Sequence, residues 1–123
     1  MKTSTSETTR ETIKFINAVK EADIWLLPDT PQNRKTTVWG KATAAAVKAG
    51  ETREIPLCEA GEDGAYLLRM IDSEHFYYSA NGMVLEPGYT LEVAGEDLHS
   101  MTATLKDESG KTLQTYEVFA ARL

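Results

Sequence analysis

Phe76-Tyr77-Tyr78-Ser79-Ala80-Asn81-Gly82-Met83-Val84-Leu85-Glu86-Pro87-Gly88-Tyr89-Thr90-Leu91-Glu92-Val93-Ala94 is the stretch that decides how this chain folds. Tyr89, Leu91 and Val93 alternate with Thr90, Glu92 and Ala94, the period of two that belongs to a half-buried strand. In the run before it, Phe76 and Tyr78 share one face and Tyr77 takes the other. Asn81-Gly82 between two extended runs predicts a two-residue hairpin turn, because both residues accept positive φ.

Working outward, segments 53–59, 65–72, 75–80, 83–86, 89–94, 101–106 and 112–120 all read as short and extended. Gly61-Glu62-Asp63-Gly64, Pro87-Gly88, Gly95-Glu96-Asp97 and Asp107-Glu108-Ser109-Gly110 separate most of them. Leu113, Thr115, Glu117 and Phe119 alternate with Gln114, Tyr116 and Val118, so the last strand is partly apolar on both faces. Short strands at this spacing predict a mostly β chain, a single antiparallel β-sandwich of immunoglobulin-like or related Greek-key type. Glu62-x-Gly64-x-Tyr66-x-Leu68 has the spacing of a tyrosine corner, with Leu68 where an immunoglobulin-type domain would place Cys. The likeness is one of architecture and not of family. Ala-Gly-Glu-Asp at 60–63 and 94–97 is repeated turn chemistry, since Gly64-Ala65-Tyr66 succeeds the first copy and Leu98-His99-Ser100 the second.

The N-terminal part reads differently. Residues 1–7 are polar and predict a flexible tail. An amphipathic helix is expected over 8–22, capped by Thr8 and Glu11, with Ile13, Phe15, Ile16, Val19 and Ala22 on one arc. So short a helix needs docking through Ile13, Ile16 and Val19. Ile24-Trp25-Leu26-Leu27 is apolar on both strand faces, and Pro28 to Lys35 reads as a loop. Over 36–47 a strand is favoured, because Gly40 and Thr43 interrupt the helical alternative. Trp25 and Trp39 read as core anchors. The sandwich domain then covers 8–123.

Composition narrows the function. The chain has 123 residues and a mass of 13.6 kDa, enough for one domain with a sizeable core. No stretch approaches 18 apolar residues, so no membrane span is expected. One Cys excludes a disulfide framework or a cysteine-built zinc finger, and two His leave little for a histidine cage. Met1 to Glu7 has no apolar core of a signal peptide, so the expected address is cytoplasmic. The net charge of -6 argues against nucleic acid as partner. Acidity concentrates between Glu54 and Leu105, where Arg69 is the one base. The Gly-flanked turns Glu62/Asp63 and Glu96/Asp97 are therefore the candidate binding residues, for a basic protein surface. No EF-hand loop or alternate-residue Asp spacing is present, and no metal or cofactor is expected.

Residues arranged for catalysis are few. Asp97-x-His99 and Glu74-His75 set carboxylates near imidazoles, and Ser79 and Ser100 are nearby hydroxyls. There is no Gly-x-Ser-x-Gly elbow and no phosphate-cradling glycine loop. Cys58 lies in an apolar run beside Glu59, which disfavours a thiolate. Asn33-Arg34-Lys35 is too small a basic cluster to hold nucleic acid. Cys58, His75 and His99 are thus expected to be dispensable. The expected role is a non-catalytic protein-interaction or structural module, engaging a protein partner or a second copy of itself. A ligand-binding sandwich with an acidic loop site for calcium or a cationic ligand is the alternative, and a small enzyme comes third.

Overall fold

Ile13, Phe15 and Asn17 are buried and Lys14 is exposed along Thr12–Asn17, an alternation that makes this segment strand β1. The computed structural model describes residues 11–36, 39–57, 60–95 and 100–122, and of Glu62 the backbone alone. The helix expected over 8–22 is corrected over its described part: β1 is followed by a bend and by strand β2, Ala22–Pro28. Thr8 of the expected cap lies outside the described residues. The reason is partnership. Thr12, Ile13, Phe15 and Ile16 are β-branched or aromatic, and both edges of β1 find a ladder. One is antiparallel to β4, Thr52–Pro56, and the other parallel to β7, Thr90–Ala94. Ile13 is buried as expected, but as an inward residue of a strand.

The remaining elements are a short helix α1, Pro31–Lys35, then β3, Ala44–Val47, and after β4 a 3₁₀ turn at Glu62–Gly64. They continue with β5, Ala65–Asp72, β6, Phe76–Val84, and β8, Thr102–Lys106. The chain closes with β9, Thr112–Glu117, and β10, Phe119–Arg122. α1 occupies the stretch expected as loop. Thr30 caps it by accepting the Asn33 N–H at 3.0 Å, and Pro31 takes the first turn, where a missing N–H costs nothing.

Two five-stranded sheets result, in the orders β4-β1-β7-β8-β9 and β10-β6-β5-β2-β3. Every pairing except β1 with β7 is antiparallel. The molecule is mostly β and consistent with the expected sandwich. Ile13, Phe15, Ile55, Leu91, Val93, Ala103 and Leu105 of the first sheet meet Ile24, Leu26, Leu68, Met70, Tyr78 and Met83 of the second. β9 and β10 are one extended run that changes sheets at a single residue. Val118 is tucked into the core there, its N–H donating to the Met101 carbonyl at 3.1 Å.

Asn81-Gly82 does not make a hairpin. β6 runs straight through it, and the two residues together face Leu67 as a β-bulge. The positive φ expected of the pair is present, at 71° on Gly82, but it serves the bulge. A second bulge lies in β3, where Ala45 and Ala46 face Asp23 and Ala46 takes φ 50°. Each left-handed residue donates its N–H to a carboxylate, Ala46 to Asp23 at 2.8 Å and Gly82 to Asp29 at 2.7 Å.

Buried Asp72 orders the β5–β6 turn. It accepts the N–H of Glu74 at 2.8 Å and of Phe76 at 2.9 Å, and the Tyr78 hydroxyl at 2.7 Å. Burial, reinforced by this bond, pushes the Tyr78 pKa well above its ordinary value. Asp72→Ala strands three donors and should cost about 3 kcal/mol, roughly 10 °C in Tm. Adding Tyr78→Phe should recover part of that loss in thermal denaturation, because one orphaned donor is removed.

Candidate functional site

The face of the second sheet turned away from the core carries its own packed layer. Trp25, Arg69 and Ser79 lie side by side across β2, β5 and β6, with Phe119 of β10 next in the row. Alternation along β2 and β5 sends Ile24, Leu26, Leu68 and Met70 inward and leaves Trp25, Leu67 and Arg69 on this face, all buried. Described residues between Asp29 and Thr43 cover them. Trp39 stacks on Tyr77 at 5.7 Å between ring centroids and meets Trp25 at 5.3 Å. Trp25 Nε1 donates to the Gly40 carbonyl at 3.1 Å, and Thr43 Oγ1 accepts the Leu26 N–H at 3.0 Å. The two tryptophans expected as core anchors therefore hold this covering segment, outside the main core.

Asp29 ties the segment down. Its carboxylate accepts Arg34 Nε at 2.6 Å and Nη2 at 2.8 Å, a bidentate pair, together with the Gly82 N–H. The Arg34 guanidinium holds the Asp29 carboxyl below its ordinary pKa, and Arg34 is raised in return. The Asp29 N–H bonds the Ala65 carbonyl, which also receives the Gly61 N–H. Gly61 has to be glycine here, since a Cβ would lie 2.7 Å from the Asp29 nitrogen and closer still to its carbonyl oxygen. Between α1 and the β6 bulge opens a cleft of about 640 Å³, lined by Asp29, Pro31, Arg34, Lys35, Asp63, Ala65, Gly82 and Val84.

Arg69 is the unusual member of the layer. It is 3% exposed, and its Nη1 donates to Asn81 Oδ1 at 2.8 Å and to the Leu68 carbonyl at 2.9 Å. Its Nε finds no partner among the described residues. Burial lowers its pKa, with Tyr77 and Asp29 acting in the opposite sense. Asn17, fully buried, is by contrast satisfied by the carbonyls of Lys20 and Val47 and by the Val19 N–H, and closes the corner after β1.

The residues singled out in the sequence are dispersed. Asp63 is exposed, with φ 61°, in the 3₁₀ turn beside the cleft, and Glu62 precedes it. Glu96 and Asp97 lie outside the described residues, as do Cys58 and His99. Their flanks, Gly95 and Ser100, follow β7 and precede β8 at the end where β1 hands over to β2. The Glu62 turn precedes β5 at the end where β2 finishes. Strand direction thus sets Gly95 and Ser100 at the opposite end of the two sheets from the Glu62 turn. Among the described residues no group of three or more His, Cys, Asp and Glu side chains is placed to hold a metal ion. Glu74 is ion-paired with Lys20, and exposed His75 takes a left-handed φ of 67° in the turn. Phe76 and Tyr78 face the core and Tyr77 the outer layer, as their alternation implied.

Asp29 was not singled out in the sequence, Arg34 only within the Asn33-Arg34-Lys35 cluster, and Phe119 only as one of an alternating set. Thr30-Pro31 was a usable signal for the first two, being a cap followed by a proline that starts a helix. Comparison with protein-family models, with curated proteins and with solved structures finds no match. No helix among the described residues is long and apolar enough to cross a membrane.

The pairing of Asp29 carries a pH signature. Its folded pKa lies below the unfolded one. The stability it contributes is therefore complete above the ordinary carboxylate value of about 3.9 and is lost as pH falls through the folded value. Asp29→Asn should cost about 2 kcal/mol at neutral pH, the size of a hydrogen bond to a charged group. The Tm curves of variant and wild type should converge as the pH is lowered below 4, roughly the unfolded carboxylate range.

Proposed function

We propose that the chain is a non-catalytic protein-interaction module, an immunoglobulin-like or related Greek-key sandwich that contacts its partner at the margin formed by β6, β9 and β10. The observation that carries this reading is where the apolar surface lies. Val84, Leu113 and Phe119 are the exposed large hydrophobic side chains among the described residues, and they sit on these three strands. The Val84 N–H donates to the Tyr116 hydroxyl at 3.3 Å, which joins the end of β6 to β9. Phe119, 66% exposed, has the geometry of an anchor that a partner would bury. Meanwhile the buried polar groups Asn17, Asp29 and Asp72 are engaged in holding turns and bulges.

The Greek-key part of the reading is supported by strand order. β2 pairs with β3, the chain crosses from β3 to β4 through 48–51, and β4 returns beside β1. A net charge of -6 supports a protein rather than a nucleic acid as the partner. A second reading, a cationic ligand at the acidic turns, draws on exposed Asp63 at the mouth of the cleft. A Tm raised by roughly 1 mM calcium would favour it.

The deciding experiment compares wild type with Phe119→Lys as baits in a native lysate. A partner captured by the wild type should bind the variant at least about 30-fold more weakly, the weight of one buried anchor. Tm should be unchanged, since the ring lies in solvent. A partner held equally by both would move the contact surface elsewhere.

A further inference from the structure

We propose that β10 pairs antiparallel with β10 of a second copy about a two-fold axis at Ala120, joining the second sheets of two chains into one. This rests on reading the β6–β9–β10 margin as the contact surface, and it names the partner.

The four sheet edges are β4, β9, β10 and β3. Three of them carry features that discourage a further strand. β3 is bulged at Ala45–Ala46, and β4 presents Arg53 and Glu54 and ends in Pro56. β9 is bulged at Leu113, where Leu105 and Lys106 of β8 face Gln114 and Thr112. β10 pairs in regular register with β6 on one side, from Phe119 opposite Ser79 to Arg122 opposite Phe76. Along Phe119-Ala120-Ala121 it has no charge, no proline and no bulge.

Its sequence fits itself. A two-fold axis at Ala120 sets Phe119 of each copy opposite Ala121 of the other, on the outer face of the sheet. The small Ala121 leaves room for the ring, whose far side meets Tyr77 next to Ala121 in the register. Val118 falls opposite Arg122 on the core-side face, so the two Arg122 side chains stand at opposite ends of the pair. Arg122 is exposed. Arg122 lies over the Phe76 ring of its own chain at 5.7 Å. The run 111–122 carries Lys111, Glu117 and Arg122, a balance of +1 in a chain of net charge -6, so the acidity of the chain is not concentrated at this edge.

Sedimentation of the full chain over increasing concentration, up to roughly 1 mM, reads the equilibrium directly. The expected result is a mass moving from 13.6 kDa toward twice that value. Phe119→Lys and Ala121→Glu should each weaken association at least about tenfold, because each sets an unpaired charge against an apolar side chain at both ends of the pair. An equimolar mixture of the two variants should restore it, since the lysine introduced in one chain then meets the glutamate introduced in the other. A chain monomeric throughout, or a dimer indifferent to both substitutions and to mixing, overturns the proposal. If the chain is monomeric yet Phe119→Lys still loses a captured protein, the self-pairing fails while the reading of the margin stands.

Discussion

The structure on the outer side of the second sheet depends on one buried carboxylate. Asp29 takes both nitrogens of an Arg34 fork and the N–H of Gly82, while its own N–H fixes the entry to β5. One residue thereby sets where β2 stops, how α1 is held, and which way the β6 bulge turns. The arrangement is viable because three donors compensate the desolvation of the charge and the counter-ion remains half in water. Gly61 allows the backbone to come close enough for the Ala65 carbonyl to serve both Asp29 and Gly61.

From residue 52 onward the strands are legible because their evidence is local. Ala65–Asp72 is found with the bounds that its turn residues imply, and the 107–110 turn closes on the Asp107 carboxylate, which accepts from Ser109 and Lys111. The first 22 residues are harder. Ile13, Phe15, Ile16 and Val19 satisfy a helical arc and a strand nearly equally over so short a span. The choice is made by β4 and β7, which lie far along the chain. Asn81-Gly82 repeats the lesson. Its backbone preference is local and correctly read, but whether it ends a strand or bulges one depends on Leu67 opposite. The sheet change at Val118 leaves no trace in sequence, because the chain stays extended and only its neighbours differ.

The candidate site was less legible than the fold. Acidic turns are conspicuous in sequence, yet strand direction separates the Glu62 turn from Gly95 and Ser100, and Glu96 and Asp97 lie outside the described residues. Phe119 belongs to the alternating set Leu113, Thr115, Glu117 and Phe119, which marks its face but not its exposure. Exposure follows from β10 being an outermost strand, a property of topology. Trp25 and Trp39 were conspicuous too, and their size suited a core. They lie outside it because the covering segment has to be anchored to the sheet by something large and apolar.

The position of β1 has a consequence for how the molecule is made. It leaves the ribosome before the other described strands, yet in the finished sheet it lies between β4 and β7, with Lys14 opposite Thr90 and Asn17 opposite Val93. Until the second half of the chain has emerged, Ile13 and Phe15 can be covered from one side only. Assembly of the first sheet is therefore a late, cooperative closure, whose rate is governed by bringing distant segments together rather than by local preference. During that interval the nascent N-terminal strand is an unpaired apolar edge, the state in which such a chain has most to gain from a chaperone.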